Sequence, residues 1–399
     1  MKKLLLLGGL RYLIPVIKTA KRMGHYVITC DYLPDNIAHK YSDEYHNVSI
    51  IDKEAVLKLA QSLKIDGIMS FAVDPGVTTV AYVSEQIGLS CAGSYESVQI
   101  LQNKGLFRKF LEKHNFNVPK SNSYTSIQQA LDEFDADDLP VIVKPVDAAG
   151  SKGVTKVTRQ QDLEDAIAYA IGFSSTKTFI IEEFIESKGF SSDTDCFSID
   201  GELSFVSFSS QRFDPNSPNP YTPSAYSWPS NISTENQEYL KTELQRLISL
   251  LDMRSSIYNI EVREGIDNKA YIMEVSPRGG GNRLSEMLYY ATGSDLIKCA
   301  IQAALGEKID RLSQPNYNGN WGEIILYSNK SGIYRELKIA DEIVKNVVEV
   351  DLWVEKGDKV KAFTAANEAI GTLVLKFESQ DSLEAILSDY SQYIEVVVE

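Results

Sequence analysis

Three stretches of this sequence gather charged side chains and glycines at spacings that suit phosphate chemistry. In the last of them, Tyr258-Asn-Ile-Glu-Val-Arg-Glu leads through Gly265-Ile-Asp-Asn-Lys into Ala270-Tyr-Ile-Met-Glu-Val-Ser-Pro-Arg-Gly-Gly-Gly-Asn-Arg283. Two alternating runs about a turn centred on Asp267-Asn268 read as a hairpin, which sets Glu261 opposite Glu274 on one face. Opposed carboxylates repel each other, and a divalent cation relieves the repulsion. Magnesium suits such a pair, because it takes hard oxygen ligands and leaves room for phosphate oxygens. The plainer reading is two solvated acids on a wet sheet face, with Ile260, Val262, Met273 and Val275 turned toward a core. Arg278 follows in a triglycine loop, where an anion can approach the backbone closely.

The first stretch is Val141-Ile-Val-Lys-Pro-Val-Asp-Ala-Ala-Gly-Ser-Lys-Gly-Val154. A buried strand delivers Lys144 to a small-residue loop containing Gly150, Ser151, Lys152 and Gly153. Crowded N–H donors plus a cation hold phosphate, although such a loop also serves as an ordinary turn. The GxxxxGK[ST] pattern of a P-loop is absent. The second stretch, Phe179-Ile-Ile-Glu-Glu-Phe-Ile185, reads as a strand ending in carboxylates; taken alone, it suits a solvated strand edge.

The elements around these stretches must bring them together. An apolar strand over 3–8, a helix over 10–23 and a strand over 25–31 open the chain. A helix over 53–63, a strand over 65–71 and a helix over 75–87 follow. This alternation implies a parallel sheet covered by helices on both faces, to about residue 100. Two helical stretches follow, at 95–103 and 104–114, and Val118-Pro119 starts a new unit. There, strands over 140–146 and 178–185 flank a helix over 160–172. Asp200-Gly201 marks a hairpin. Residues 209–234, rich in Ser, Pro, Asn and Tyr, read as a long loop. A helix over 235–251, the Glu261/Glu274 hairpin and a helix over 294–305 come next. After a polar break at 311–320, a last region of strands closes with a helix over 381–389 and a strand over 394–398.

Composition narrows the function. The 399 residues carry 55 acidic and 40 basic side chains, a formal net charge of -15. Phosphate backbones select basic surfaces, so a nucleic-acid partner is not expected. The four cysteines are widely spaced, without a CxxC pair, as in a reduced, cytoplasmic protein. The apolar start lacks a small-residue cleavage site, and no run reaches the roughly 18 apolar residues of a membrane span. None of the four histidines, His25, His39, His46 and His114, falls in the motif cluster, so no catalytic histidine is assigned.

In their order along the chain, these motifs resemble the ATP-grasp superfamily, over essentially the whole sequence. Within it the chain looks similar to carboxylate–amine ligases: L-amino acid ligases, and proteins labelled carbamoyl phosphate synthetase-like or phosphoribosylglycinamide synthetase-like. The resemblance implies an α/β fold, α+β in its later parts. Residues 1–100 would form a doubly wound Rossmann-like domain and 101–120 a helical linker. Residues 121–185 would form the lid subdomain, 186–310 the metal-binding subdomain, and 311–399 a C-terminal subdomain packed on that core. Lys104 and Lys144 would contact ATP phosphates, and Gly150–Gly153 would close over them. Glu182, Glu183, Phe184 and Ile185 would form the hinge that reads adenine. Glu261 and Glu274 would hold magnesium, for which manganese can substitute. Arg278 would stabilise the transferred phosphoryl group with help from Arg283, and Asp74 would lie nearby.

Two departures from the family pattern stand out. Glu-x-Asn-x-Arg is here Glu274-Val-Ser276-Pro-Arg278, so Ser276, on a shorter arm, would hold a second metal weakly or through water. The acid that binds ribose after the hinge is not plainly placed; Glu186 and Asp193 are the candidates.

The implied reaction is transfer of the ATP γ-phosphoryl group to a small carboxylate, giving an acyl phosphate that an amine attacks. The partners are then small-molecule carboxylates and amines, with no membrane, and a homodimer is compatible with the resemblance. The 209–234 loop is a candidate substrate cap through Arg212, Tyr221, Tyr226 and Trp228. Three rival readings remain: a biotin carboxylase-like or formate-activating enzyme, a nucleotide-binding module without turnover, and a nicotinamide oxidoreductase. The last is weakened because Gly8-Gly9-Leu10-Arg11 lacks GxGxxG.

Overall fold

A computed structural model of the chain describes every residue except Ala149 and Ser151. Strands Glu44–His46, Tyr26–Cys30, Lys3–Leu7 and Gly67–Ser70 lie in that order in a parallel sheet. Leu4 to Leu7 occupy an interior strand of this sheet and are 0% exposed. Burial on both faces is why the run is continuously apolar rather than alternating. Helix Leu296–Ala304 comes from far along the chain, yet it packs on helix Ile14–Arg22 and strand Gly67–Ser70. The N-terminal core therefore extends into later parts of the chain.

The lid is an antiparallel sheet of Ser121–Tyr124, Phe179–Glu183, Val141–Pro145 and Thr155–Val157, in that spatial order. Helices Ile127–Glu133 and Leu163–Phe173 contribute to its apolar core. The next sheet runs Glu202–Val206, Ser192–Ile199, Ser256–Glu264, Ala270–Ser276, all antiparallel. Helix Thr234–Leu250 covers one face through Leu240, Leu244 and Leu247, which meet Tyr258, Ile260 and Val262. The opposite face carries Phe197 and Ile257 into the N-terminal core at one end and polar side chains at the other.

A five-stranded sheet, Ser210–Phe213, Pro223–Trp228, Asn320–Leu326, Gly371–Phe377 and Val347–Leu352, completes the core beside a three-stranded edge. Its first two strands correct the expectation of a long loop over 209–234. Ser and Pro hide an alternation whose large side chains, Tyr226 and Trp228, are 0% exposed and belong to the N-terminal core. Arg212 is likewise held in place, by Ser227 Oγ at 2.8 Å and by Glu384 at 2.6 and 2.7 Å. Among the described residues no helix is long and apolar enough to cross a membrane.

Candidate active site

Register places the acids. Asp193, Glu261 and Glu274 are cross-strand partners on three adjacent strands, and Asp195, Asn259 and Ser276 form a second row two residues away. Side chains alternate along a strand, so both rows share the polar face. Asn259 Nδ2 ties the rows together, donating to Asp193 Oδ1 at 2.7 Å and reaching Asp195 Oδ1 at 3.5 Å. Burial, and then the neighbouring Glu261, push Asp193 up to about 7. Burial also lifts Asp195, to about 6, despite its bonds from Ser285 and Gly280.

Basic groups border this face. Lys104 opens helix Lys104–Lys113, capped by Asn103; its Nζ lies 3.3 Å from Glu274 Oε2 and donates to the Ala148 carbonyl at 3.0 Å. Arg278 donates to both oxygens of Asp74, at 2.8 and 2.7 Å. Burial would raise Asp74, but the charge and hydrogen bonds of Arg278 outweigh it and hold the carboxyl below its usual range. Ser276 is buried; its hydroxyl donates to Asp74 at 3.0 Å and accepts from Gln102 at 2.8 Å. It is thus already engaged within the protein.

On the lid side, Lys144 forms an ion pair with Glu182, which Arg108 Nε also reaches, at 3.0 Å. Burial alone would raise Glu182, yet the two cations hold it at about 2. Burial lowers the Lys144 ammonium even against the pull of Glu182. Arg108 Nη1 donates to the Met273 carbonyl at 2.8 Å, linking the lid to the strand that carries Glu274. Of the expected hinge, Glu183 is exposed, Phe184 lies under Lys156, 3.6 Å from its ring centre, and the buried Ile185 gives its carbonyl to Arg263. Gly150 and Gly153 have φ of 69° and 72°, and Lys152 is exposed; Ser151 lies outside the described residues.

Two of the three loop glycines, Gly279 and Gly280, are required by what they touch. A Cβ on Gly279 would stand 2.2 Å from the Phe71 ring, and one on Gly280 2.6 Å from Leu284 and 2.8 Å from Asn259. The close approach lets Gly280 N donate to Asp195 Oδ1 at 2.8 Å. Asn282 and Arg283 then adopt left-handed conformations, φ 48° and 56°, a strain that concentrates at ligand sites. Arg283 points away from Arg278: it donates to Thr372 at 2.9 Å and to Glu286 and Glu349 at 3.1 Å. Asn282 instead bridges Tyr12, at 3.1 Å, and Tyr226, at 3.0 Å, whose hydroxyl reaches Asp193 at 3.2 Å.

The structure therefore brings Lys104, Asp193, Glu261, Glu274, Ser276 and Arg278 to one face, with Lys144 and Glu182 beside it. Asp193 stands in the carboxylate row rather than next to the hinge strand. Arg283 belongs to a separate cluster. Sequence reasoning assigned no role to Arg108, Asp195 or Asn259. The i, i+2 spacing of Asp193 with Asp195 and of Asn259 with Glu261 was the available signal. Among the described residues no three His, Cys, Asp or Glu make a ready metal cage. Two facing carboxylates without a third protein ligand fit magnesium, which completes its shell with phosphate and water.

Comparison with known proteins agrees with this geometry. Residues 137–286 match the ATP-grasp domain. The carbamoyl phosphate synthase large chain of Thermoanaerobacter sp. (strain X514) is 26% identical over 357 residues, 84% of this chain but 31% of that protein. The chain thus spans about a third of the length of this curated relative. Phosphoribosylglycinamide synthetase from Anaerococcus prevotii superposes with a TM-score of 0.76 at 22% identity, covering 100% of both chains. L-amino acid ligase from Bacillus licheniformis superposes with a TM-score of 0.80 at 19% identity, covering 100% of this chain and 99% of that one. These two likenesses speak to the fold. The ATP-grasp domain matched at residues 137–286 thus sits within an architecture similar to those of both structures.

Proposed function

We propose that the chain is an ATP- and magnesium-dependent ligase that activates a small carboxylate as an acyl phosphate and couples it to an amine. The observation that carries this is the pairing of Glu261 with Glu274 in register, with Lys104 3.3 Å from Glu274 and Arg278 on the same face. The names of the similar proteins, a carbamoyl phosphate synthase and an L-amino acid ligase among them, support it.

A carboxylate is a poor acyl donor, since its leaving group would be oxide. Phosphorylation turns that leaving group into phosphate. The protein then has mainly to position the reactants and balance charge on the moving phosphoryl group. Glu261 and Glu274 would hold magnesium, which draws negative charge off the phosphates when bound. Lys104 and Lys144 place cations on the nucleotide side. Arg278, clamped by Asp74, offers a fixed guanidinium where the acyl phosphate forms. A fixed donor stabilises developing charge without reorganising during the step. The loop at 150–153 would exclude water, which otherwise hydrolyses the intermediate.

The test is phosphate release from ATP and magnesium across a library of small carboxylates and amines, with Glu274→Ala as the control. Release stimulated by a carboxylate–amine pair and lost in the variant is the expected result. ATP binding without stimulated release by any pair would contradict the reading.

A further inference from the structure

Three arginines of this chain close the same two-armed grip on a carboxylate. Arg159 with Asp162, Arg246 with Glu243 and Arg278 with Asp74 each use Nε and Nη2 side by side, one nitrogen to each oxygen. Arg108 makes half of that grip. Its Nε donates to Glu182 Oε2 at 3.0 Å, but Glu182 Oε1 is taken by Lys144. Arg108 Nη2 is buried and has no hydrogen-bond partner among the described residues. The side chain is 2% exposed, which keeps bulk water from that nitrogen. A buried donor without an acceptor is costly, the more so on a charged group.

The two cations on Glu182 differ in freedom. Arg108 is fixed, because Nη1 donates to the Met273 carbonyl at 2.8 Å and a planar guanidinium moves as one piece. Lys144 carries a compact ammonium on a flexible stem. It sits next to the end of strand Val141–Pro145, close to the glycine loop. Ile142 pairs with Glu182 and Lys144 with Ile180, so Lys144 and Glu182 are diagonal neighbours on one face of the lid sheet. Lys104 and Arg108 both lie near enough to repel the Lys144 ammonium.

We propose that Arg108 is the positioning residue that frees Lys144 for the nucleotide. Phosphate oxygens draw the Lys144 ammonium off Glu182 Oε1, the carboxylate turns, and Arg108 Nη2 closes on the vacated oxygen. Turning a carboxylate about its last bond is a soft motion. Glu182 keeps two donors before and after the exchange, so its buried charge does not lose its pairing. This rests on the reading that Lys144 meets ATP phosphates, and it holds for any acceptor.

The first test is a crystal structure of the full chain with magnesium and the β,γ-imido analogue of ATP. Expected are Arg108 Nε and Nη2 each at about 2.9 Å from a Glu182 oxygen, with Lys144 on phosphate. Nη2 still unpaired, whether or not Lys144 has moved, would overturn the proposal. The second is a double-mutant cycle on MgATP affinity, read by calorimetry. Arg108→Lys keeps the charge and lacks the fork. It is expected to weaken MgATP binding by about tenfold, the worth of one charge-assisted hydrogen bond. Where Lys144→Met has already removed the ammonium, the same change is expected to cost less than about twofold. An arginine that only braces the fold would weaken binding equally in both backgrounds, and equal losses would overturn the proposal. Should Arg108→Lys not fold, the complex of the natural chain decides alone. The two readings fail separately. The analogue bound with Glu182 still shared by Lys144 and half of Arg108 leaves the ligase standing and overturns this exchange. A natural chain that binds no MgATP overturns the nucleotide reading, and the exchange with it.

Discussion

The two sides of the 279–283 loop are charged in different ways. On the Arg278 side four cations are paired within the protein, Arg278 with Asp74, Lys144 and Arg108 with Glu182, and Lys104 with Glu274, while Asp193 stands beside Glu261. On the Arg283 side Glu286, Glu349 and Asp351 share one guanidinium, and the buried Glu323 has no hydrogen-bond partner among the described residues. A matched cluster holds its shape before any ligand arrives, which suits a step whose demand is fixed positive charge. A buried carboxyl group without a hydrogen-bond partner instead favours its protonated form and lowers stability. The proposed phosphoryl chemistry belongs with the first side.

Removing a group on the matched side has the largest expected effect. Glu274→Ala is expected to lower ATP-dependent phosphate release by at least about a hundredfold, measured at saturating ATP and magnesium. Next comes stability. Asp74→Ala leaves the guanidinium of Arg278 buried without its partner, which costs about 3–5 kcal/mol in urea unfolding. The opposite sign is expected across the loop. Burial pushes Glu323 well above the usual carboxylate range, by more than Arg283 draws it down. Glu323→Gln relieves that, and the ligand-free variant is expected to melt about 2–4 °C higher at pH 8. Destabilisation by both substitutions would erase the comparison.

The smallest effect concerns Asp193, raised by burial and Glu261 to about 7 from an ordinary 3.8. Between those values the folded chain keeps a proton that the unfolded chain has released. Stability from this group is therefore lost as pH rises from about 4 to 7. Asp193→Asn lacks that loss. Its melting temperature relative to the natural chain is expected to climb over that window and level off above it, in EDTA.

Much of this was legible because local pattern and long-range register agreed. The alternation around Asp267-Asn268 placed Glu261 opposite Glu274, and the structure has that pair despite a bulge after Glu261. Helix Lys53–Leu63 and strand Ile394–Val398 fall where periodicity put them. Strands Ser210–Phe213 and Pro223–Trp228 were hidden by Ser and Pro, residues that usually mark turns. Helix Leu284–Thr292 escaped notice between the triglycine loop and Gly293. The Arg283 cluster was illegible for a different reason. Tyr12, Arg283, Glu323 and Glu349 come from separate segments, and no spacing within any one segment reports that they meet. Ser276 and Asp193 were visible as residues but not as partners of Asp74 and Glu261, since those contacts depend on how strands pair.

The most direct test of the central claim follows an oxygen atom. A carboxylate that stimulates phosphate release is prepared with ¹⁸O in both carboxyl positions and turned over with ATP, magnesium and its amine. Mass spectrometry of the inorganic phosphate then reports the route. One ¹⁸O per phosphate is predicted, because the acyl–oxygen bond breaks when the amine displaces phosphate. Phosphate without label, at equal product yield, would contradict activation through an acyl phosphate.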